Sequence, residues 1–430
     1  MTGKILQGIR VIDFAVVWAG PYASRMLSEM GAEVIHVEHP KLLGQPGTSR
    51  MGEPAKMAKA LGMEVKDLNE DSVASESKAT WLGVRDTYFA AFNATKKSIT
   101  LDTTKPAGRE TLNELIKICD VSIENLTPDV AQKIGISYEQ LKQVNPRIIG
   151  CAVRGFGEGP WANHVAYGNT MEYLSGITSM TGYGYEEGSR PMPAGVFTVD
   201  PIGAMQAVAA IISALMYRKR TGEGMRIEVS QYEAAASFTN EALIDYTMNK
   251  RVRTPIGNND KDIAFQGCYP AKGNDQWIVL SVRNQKEWAN LCGLLHKEDW
   301  LTDGRFSQPS KLEANRREVD MAISAWTIQR NKKDATQFLQ SLNIPSAPIN
   351  NIVETIFDQQ LRHRECYKWI EYPFGATAPT PRMPVKFTKT PLPEVYEPAK
   401  APNADNYYVY GQLLGFSESH IKELEANKII

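Results

Sequence analysis

The sequence lacks the cysteine and histidine patterns that build metal centres and disulfide frameworks. Its 430 residues contain five cysteines and six histidines. The cysteines form no C-x-x-C pair, and the histidines form no H-x-x-x-H or H-E-x-x-H spacing, so neither a zinc site nor a metalloprotease is indicated. Scattered cysteines in odd number are typical of reduced thiols in the cytosol. We therefore expect a cytoplasmic protein without a metal.

An excess of charge and a long apolar run are also missing. The formal net charge is −1 at pH 7 and 43% of the residues are hydrophobic, which is typical of a soluble globular protein and predicts no nucleic-acid or membrane partner. The opening segment MTGKILQGIRVID has no apolar leader pattern. The apolar run 201–217 contains Gln206 and is shorter than the roughly 20 residues of a membrane span, so we interpret it as a buried helix.

The first forty residues predict a β-α-β unit, but the nucleotide-binding motifs of such units are absent. Gly8–Phe14 and Glu33–Val37 have the apolar, β-branched composition of buried strands, and Pro21–Met30 between them has helical spacing. The pattern predicts a parallel sheet covered by helices. The first turn, AVVWAGPY, lacks a glycine fingerprint, and neither a Walker motif nor a G-x-S-x-G elbow occurs in the chain. A dinucleotide-dependent enzyme and a serine hydrolase are therefore disfavoured.

The pattern of strand, helix and proline signals changes twice along the rest of the chain, and this suggests three regions. Strand and helix signals continue to about residue 231, after a polar insertion at 40–92. A strand, a Gly-Asn-Asp turn, a second strand and several helical segments follow in 232–345, which predicts a smaller α+β domain. The proline-rich stretch 346–430 predicts an extended tail that returns to the first domain, 1–231.

Asp200 stands directly before the long apolar helix. With Pro201 behind it, it has the sequence of a helix N-cap at the first helical turn. The same position would hold a carboxylate near free backbone N–H groups and beside an apolar wall, where it could act as a nucleophile. The residues alone leave both interpretations open.

Polar side chains follow two neighbouring predicted strands. Asn125 and Arg154 come where these strands end, with Lys133 shortly beyond, and a basic cluster at 93–97 precedes another strand. Carboxyl ends of parallel strands share one edge of a sheet, so we expect Asn125 and Arg154 to face one crevice suited to a phosphate-bearing ligand. The alternative is that each is a solvated surface group.

Several motifs occur together in an order that resembles the class III coenzyme A transferases, which include formyl-CoA, carnitine and bile-acid CoA transferases. The resemblance covers nearly the whole chain and rests on these segments: VIDFAVVWAGPYASRMLSEMGAEVIHVEHP, FNATKKSITLD, DVSIENLTPDVAQKIGISYEQLKQVNPRIIGCAVRGFGEGP, YLSGITSMTGY, the Asp200 helix with RKRTGEGMRIEVSQYEA, and QGCYPAKGNDQWI. It implies an α/β fold with a Rossmann-like large domain and a smaller α+β domain. It also implies two chains interlocked as rings, either a homodimer or a heterodimer with a paralogue.

The resemblance assigns roles to individual residues. Asp200 matches the aspartate that attacks an acyl-CoA thioester, forms a mixed anhydride and then carries CoA as an aspartyl thioester to an acceptor carboxylate. The implied substrates are therefore CoA thioesters and carboxylic acids, with no tightly bound cofactor. The residues expected to contact CoA are Asn125, Lys133, Arg154, His39 and Lys97.

The sequence departs from this family at the predicted acyl pocket. Trp18 stands where formyl-CoA transferase has a glutamine, so the pocket, with Val16 and Tyr167, should differ and oxalate is not the expected acceptor. The stretch 258–266 replaces a glycine-rich loop and has no glycine run. Tyr167 stands where the related 2-methylacyl-CoA racemases have a histidine base, and a phenol is a poor base at neutral pH. A racemase and a partner subunit of a hetero-oligomeric transferase remain the alternatives.

Overall fold

The computed structural model describes residues 4–42, 87–184, 190–260, 263, 265–308, 311–371 and 377–430. The predicted insertion at 40–92 therefore lies mostly outside the described residues. The chain forms two compact units: the first contains residues 1–175, 195–240 and 360–430, and the second contains residues 176–194 and 241–359. Residues 360–430 thus belong to the first unit, while the boundaries proposed at 231 and 345 stay predictions.

A six-stranded parallel sheet forms the centre of the first unit. Its strands are β1 (Arg10–Asp13), β2 (Glu33–Glu38), β3 (Lys97–Thr100), β4 (Val121–Glu124), β5 (Ile149–Arg154) and β6 (Met225–Ser230). Their spatial order is β3-β2-β1-β4-β5-β6, with every neighbouring pair parallel. This is the strand order of doubly wound dinucleotide-binding folds. The predicted α/β, Rossmann-like fold class is confirmed.

Helices cover both faces of this sheet. The helices of the first unit up to residue 240 are α1 (Ala19–Glu29), α2 (Thr87–Asn93), α3 (Pro106–Lys117), α4 (Pro128–Ile134), α5 (Tyr138–Val144), α6 (Gly168–Leu174), α8 (Val199–Thr221) and α9 (Gln231–Ala236), while α7 (Ile177–Met180) and nearly all of α10 (Asn240–Asn249) belong to the second unit. The single helix predicted over 171–180 is wrong, because Gly176 adopts φ 90° and separates α6 from α7. The helix predicted over 231–248 is also divided, since Ser237–Thr239 forms a 3-10 turn between α9 and α10.

The continuous apolar strands explain why the sheet is buried on both sides. Successive residues of β1 face opposite sides of the sheet: Val11 packs in one hydrophobic core and Ile12 in the other. On one face α1 and α8 complete the core, and on the other α3 packs together with the C-terminal segment. That segment contains a π-helix (Tyr407–Leu413) and a last helix at 418–426, so the end of the chain docks on the sheet.

Helix α8 is the one helix in the described part of the chain that is long and apolar enough to cross a membrane. A core helix of a soluble protein passes the same test. Ala204, Ala207 and Ile211 are fully buried within the core beneath the sheet. We therefore interpret α8 as a core helix, as its sequence predicts. It ends where Gly222 adopts φ 84°, a conformation that glycine takes without strain.

The second unit has its own sheet and core. Its strands are β7 (Phe265–Pro270), β8 (Trp277–Val282) and β9 (Ser346–Pro348), and its helices are α11 (Gln285–Leu295), α12 (Arg316–Thr327), α13 (Lys332–Ser341) and α14 (Ile352–Ile356). Strands β7 and β8 pair antiparallel around the turn that contains Gly273, at φ 116°, so the predicted hairpin is confirmed. The chain then returns to the first unit at residue 360. There, the strands β10 (Tyr367–Glu371) and β11 (Thr377–Pro381) pair antiparallel after α15 (Gln359–His363), and the last helix is α16 (Glu418–Ala426).

Candidate active site

A cavity of about 280 Å³ opens in the first unit where the strand order reverses between β1 and β4. In doubly wound sheets, ligands bind at this point beyond the carboxyl ends of the strands. The lining comes from the loops after β1, β4 and β5 and from the starts of four helices, α4, α6, α8 and α9. Its polar and aromatic members are Trp18, Asn125, Thr127, Arg154, His164, Tyr167, Asp200 and Gln231.

Asp200 lies in the first turn of α8 and only 9% of its surface is exposed. The helix begins two residues earlier than Asp-Pro predicts, at Val199, with Thr198 at the N-cap position. The Thr198 hydroxyl donates to the Glu172 Oε1 oxygen at 2.9 Å instead of capping the helix. Asp200 is therefore not the N-cap, and its carboxylate is directed into the cavity near the free N–H groups of the first turn.

Burial raises the pKa of Asp200 to about 6, because the ionised carboxylate loses hydration. The backbone N–H groups of Ala19, at the start of α1, and of Asp200 itself favour the ionised carboxylate and oppose the rise in pKa. Asp200 is thus ionised near neutral pH while it is poorly hydrated, which is the condition for a carboxylate nucleophile.

Gly168, the first residue of α6, lies directly against this carboxylate. A Cβ atom at position 168 would lie 1.9 Å from the Asp200 Oδ2 oxygen and 3.3 Å from the Phe197 Cβ atom. No side chain fits there unless Asp200 moves. The absence of a side chain at Gly168 therefore leaves the space that the Asp200 carboxyl group occupies.

Asn125 follows β4 and is hydrogen-bonded to the loop after β1. Its Oδ1 oxygen accepts from the Val16 backbone N–H at 2.7 Å, and its Nδ2 group donates to the Val16 carbonyl at 2.7 Å. Both ends of the amide are thus engaged with one backbone residue. The expected contact of Asn125 with CoA is not the interaction that its geometry provides in this structure.

Arg154 closes β5 and lines the same cavity. Its guanidinium donates to the Glu124 carboxylate at 2.5 Å, and the two side chains are 10% and 7% exposed. Burial raises the pKa of Glu124, and the Arg154 charge opposes that rise. Asn125 and Arg154 share one crevice, as the sequence predicts, with the charge of Arg154 already paired.

Lys133 lies near the cavity without lining it. It is exposed on α4, one turn beyond Val130, which does belong to the lining. Its ammonium group could therefore reach only a ligand that extends from the cavity along α4.

His39 and Lys97 lie elsewhere on the sheet. His39 follows β2, and its Nε2 atom is 3.3 Å from the Asp102 Oδ1 oxygen. Lys97 begins β3 and pairs with Ile35 of β2, and its ammonium nitrogen is 3.8 Å from Asp405 Oδ1. The structure does not bring either residue into the cavity.

Lys96, also in the predicted basic cluster, is not available to a ligand. It is buried, and its ammonium group contacts Asp13 Oδ2 at 2.9 Å, the Pro21 carbonyl at 2.9 Å and Asn93 Oδ1 at 2.8 Å. Burial alone would raise the pKa of Asp13, but the charge and hydrogen bond of Lys96 together with those of His36 outweigh burial and hold this pKa well below its usual range. The pair ties β1 to the first turn of α1 beneath the cavity.

An aromatic group forms the wall on the Trp18 side. The Trp18 ring stacks on Phe92 with centroids 5.2 Å apart and meets the edge of Phe197 at 5.8 Å. Val16 and Tyr167 also line the cavity, and Tyr167 is 52% exposed. The three residues expected in the acyl pocket therefore share one cavity with Asp200. The stretch 258–266 lies partly outside the described residues, at positions 261, 262 and 264.

A family model described as CoA-transferase family III matches residues 6–406. The chain belongs to CoA-transferase family III. It is 32% identical to the succinate–glutarate CoA-transferase of Agrobacterium fabrum (strain C58), with 90% of each chain covered. It is 27% identical to the formyl-CoA:oxalate CoA-transferase of Rhodopseudomonas palustris (strain BisA53), over 98% of this chain and 96% of that relative.

A solved structure shares the fold of this chain over nearly its whole length. A CAIB/BAIF family protein from Brucella suis aligns with a TM-score of 0.80 and 27% identity, over 95% of this chain and 99% of that one. The expected family and enzyme class, a CoA transferase, are confirmed.

Three features of this family III site are not indicated by the sequence. Gln231, 7% exposed, lines the cavity from the start of α9. No sequence pattern near Gln231 predicts this position, and none near Gly168 predicts its close approach to Asp200. The pairing of Arg154 with Glu124 depends on the neighbouring positions of β4 and β5. Among the described residues, no group of three His, Cys, Asp or Glu side chains is arranged to hold a metal.

Proposed function

We propose that this family III enzyme moves coenzyme A from an acyl-CoA donor to a carboxylic acid, with Asp200 as the nucleophile. The observation that carries the proposal is the buried Asp200 carboxylate in a cavity at the switch point of the sheet, with a pKa raised to about 6 by burial. A nucleophile at this place meets a ligand that enters beyond the strand ends.

The proposed reaction has four steps, each a nucleophilic attack on an acyl carbon. The Asp200 carboxylate attacks the thioester carbonyl, the carbon–sulfur bond breaks, and an aspartyl anhydride and a CoA thiolate form. The thiolate attacks the aspartyl carbonyl of the anhydride, releases the donor acid as its carboxylate and leaves an aspartyl-CoA thioester. The acceptor carboxylate attacks this thioester and releases the thiolate again. The thiolate then attacks the acceptor carbonyl of the second anhydride, which forms the new acyl-CoA and regenerates Asp200.

The physical setting of Asp200 supports this chemistry. The walls formed by Trp18 and Val16 restrict water, which would otherwise hydrolyse an anhydride. The backbone N–H of Ala19 lies at the carboxylate, where it can orient the attacking oxygen. For the CoA moiety we propose contacts with Arg154 in the cavity and with Lys133 along α4.

For the acyl group we propose acids with an apolar or aromatic body. The relatives named above act, by name, on succinate, glutarate, formyl-CoA and oxalate. Here Trp18 and Phe92 stack at the cavity wall, and an indole is larger and less polar than the glutamine that the resemblance predicts at this position. A screen of acyl-CoA donors against small dicarboxylic, aliphatic and aromatic acids, followed by mass spectrometry, tests this preference.

Replacement of Asp200 by alanine tests the mechanism. We expect Asp200→Ala to abolish CoA exchange while circular dichroism shows an intact fold. Hydroxylamine added during turnover of the unmodified enzyme should convert Asp200 to a hydroxamate, which peptide mapping detects. Asp129→Ala, at an exposed aspartate in the first turn of α4, is the matched control and should retain activity. Exchange by Asp200→Ala at the unmodified rate would contradict the proposal.

A racemase activity would be detected by a different assay of the same purified protein. A racemase would introduce solvent deuterium at the α-carbon of a 2-methylacyl-CoA without an acceptor acid. Tyr167 lies in the cavity at the position of the second base. We expect no deuterium incorporation, because a phenol is protonated at neutral pH and removes a carbon-bound proton poorly.

We also propose that the enzyme works as a dimer, as a homodimer or with a paralogue. Met205 and Met216 lie on the same face of α8 and are 54% and 65% exposed, and Phe238 is 65% exposed. Exposed apolar side chains of this size are typical of subunit contacts. Native mass spectrometry of the purified chain distinguishes a monomer from a homodimer, and full activity of the lone chain would exclude a need for a paralogue.

A further inference from the structure

The loop between β1 and α1 contains a strained residue. Val17 adopts φ 66°, in the left-handed region. For a β-branched side chain this conformation is unfavourable by about 1 to 3 kcal/mol, and it persists only where the surroundings impose it. Interactions outside the loop must therefore hold Val17 in place.

Two side chains supply those interactions. Asn125 accepts from the Val16 N–H and donates to the Val16 carbonyl, at 2.7 Å each, in the manner of a paired strand. On the preceding residue, the Ala15 N–H donates to Asp13 Oδ1 at 2.9 Å. The backbone on the amino side of Val17 is thus fixed at two successive residues.

The first turn of α1 packs directly on this loop. A Cβ atom at Gly20 would lie 2.3 Å from the Ala15 Cβ atom and 3.5 Å from the Asn125 Cβ atom. The loop and the helix start therefore move together. Asn125 touches both of them.

The same helix start reaches the nucleophile. Trp18 is the N-cap residue of α1 and lines the same cavity as Asp200, and the backbone N–H of the next residue, Ala19, favours the ionised Asp200 carboxylate. A change in φ at Val17 would rotate the backbone that carries this N–H group. Asn125 is therefore connected to Asp200 through four consecutive backbone residues, 16–19.

We propose that Asn125 is a positioning residue: it clamps the loop in its strained conformation and thereby aims the Ala19 N–H at Asp200. This inference rests on the proposed function only where kcat and KM for CoA transfer are measured. A hydrogen bond to the ionised carboxylate lowers its pKa, so loss of the clamp should raise the pKa of Asp200. Besides Asp200, the titratable and charged side chains at the cavity in the described chain are Arg154, His164 and Tyr167, with Glu172 on α6 and Glu124 paired to Arg154.

The first measurement does not depend on enzyme activity. A carbodiimide with an amine labels protonated carboxyl groups, and peptide mapping gives the labelled fraction of Asp200 at each pH. In Asn125→Ala we expect the labelling midpoint to rise by about one pH unit, the effect of one lost hydrogen bond to a charged group. In Asn125→Asp, which keeps an acceptor for Val16 N–H, we expect a smaller rise.

A second substitution tests the strain directly. Glycine adopts positive φ without steric penalty, so the loop of Val17→Gly does not need the clamp. We expect the double variant Asn125→Ala with Val17→Gly to regain most of the unmodified midpoint. Asn145→Ala is the matched control, because Asn145 also holds backbone carbonyls, those of Ile116 and Cys119, at the opposite edge of the sheet. It should not move the midpoint.

The kinetic readout separates positioning from CoA binding. We expect Asn125→Ala to lower kcat at least about tenfold, the equivalent of one hydrogen bond in the transition state, with KM for the acyl-CoA changed less than about threefold. A raised KM with unchanged kcat and an unmoved midpoint would show that Asn125 serves CoA directly and would overturn the inference. An unmoved midpoint in both Asn125 variants would also overturn it. A raised midpoint in a chain that transfers no CoA would support the clamp and refute only the proposed function.

Discussion

Replacement of Asp200 by asparagine should stabilise the protein near neutral pH while it abolishes CoA transfer. Burial raises the pKa of Asp200 from 3.8 to about 6, so the folded protein holds this proton more tightly than the unfolded chain does. Ionisation of Asp200 is therefore unfavourable to the folded state. Asparagine has nearly the same shape and carries no charge at any pH.

The size of the effect follows from the pKa shift. A shift of one unit corresponds to 1.36 kcal/mol, so the ionised carboxylate destabilises the folded state by about 3 kcal/mol when both pKa values are exceeded. Below the unfolded pKa the carboxyl group is protonated in both states and the difference vanishes. As the pH rises through the folded pKa, the unmodified protein loses this contribution while Asp200→Asn does not. The variant should therefore be more stable by about 1.5 kcal/mol at pH 5 and by about 3 kcal/mol at pH 8.

Urea unfolding at several pH values measures this difference. The midpoint of Asp200→Asn should exceed that of the unmodified protein by an amount that grows between about pH 5 and pH 7, with equal slopes m for both proteins. Asp129→Asn is the control, because Asp129 also lies in a first helical turn but is exposed. Its substitution should change stability by no more than about 0.5 kcal/mol. A difference between Asp200→Asn and the unmodified protein that stays constant or shrinks as the pH rises would refute the assignment of Asp200 as a desolvated, ionised carboxylate.

Three further results are expected. The value of kcat/KM for CoA transfer should fall about tenfold per pH unit below about pH 6, because protonated Asp200 cannot attack; a pH-independent rate down to pH 5 would contradict this. Gly168→Ala should lower kcat at least about tenfold, since its Cβ would lie 1.9 Å from Asp200 Oδ2, whereas Gly293→Ala, with no atom within 4 Å of its Cβ, should leave activity unchanged. Asp13→Asn should destabilise the fold by about 3 to 5 kcal/mol because it leaves the buried Lys96 ammonium uncompensated, and urea unfolding that detects no loss would contradict the pairing.

The sequence was sufficient to predict the elements that depend on local signals. The apolar, β-branched strand β4 and the strand β6 have the bounds that their composition predicts. The apolar run after Asp200 forms one long helix that ends before Gly222, because glycine adopts the left-handed conformation of a helix end. These features depend on residues within a few positions of each other.

The breaks in helices were less predictable. Apolar spacing continues through Gly176, yet the chain turns there at positive φ and α7 begins. Helical periodicity reports which residues face the core, and it does not report a change in direction between two short helices. The start of α8 at Val199, rather than after Asp200, is a difference of the same kind. Thr198 takes the N-cap position, and its hydroxyl donates a hydrogen bond to Glu172, which is distant in sequence.

The sequence alone determined the α/β class, the family resemblance and the candidate role of Asp200. Only the tertiary structure decided what surrounds that carboxylate. Asn125 meets Val16 across 109 positions, and Lys96 meets Asp13 across 83. Lys97, although adjacent to Lys96 in sequence, contacts Asp405 instead of Asp13. Such contacts depend on the order of the strands in the sheet, so a local pattern could identify Asp200 as a candidate nucleophile but not the contact of Asn125 with Val16.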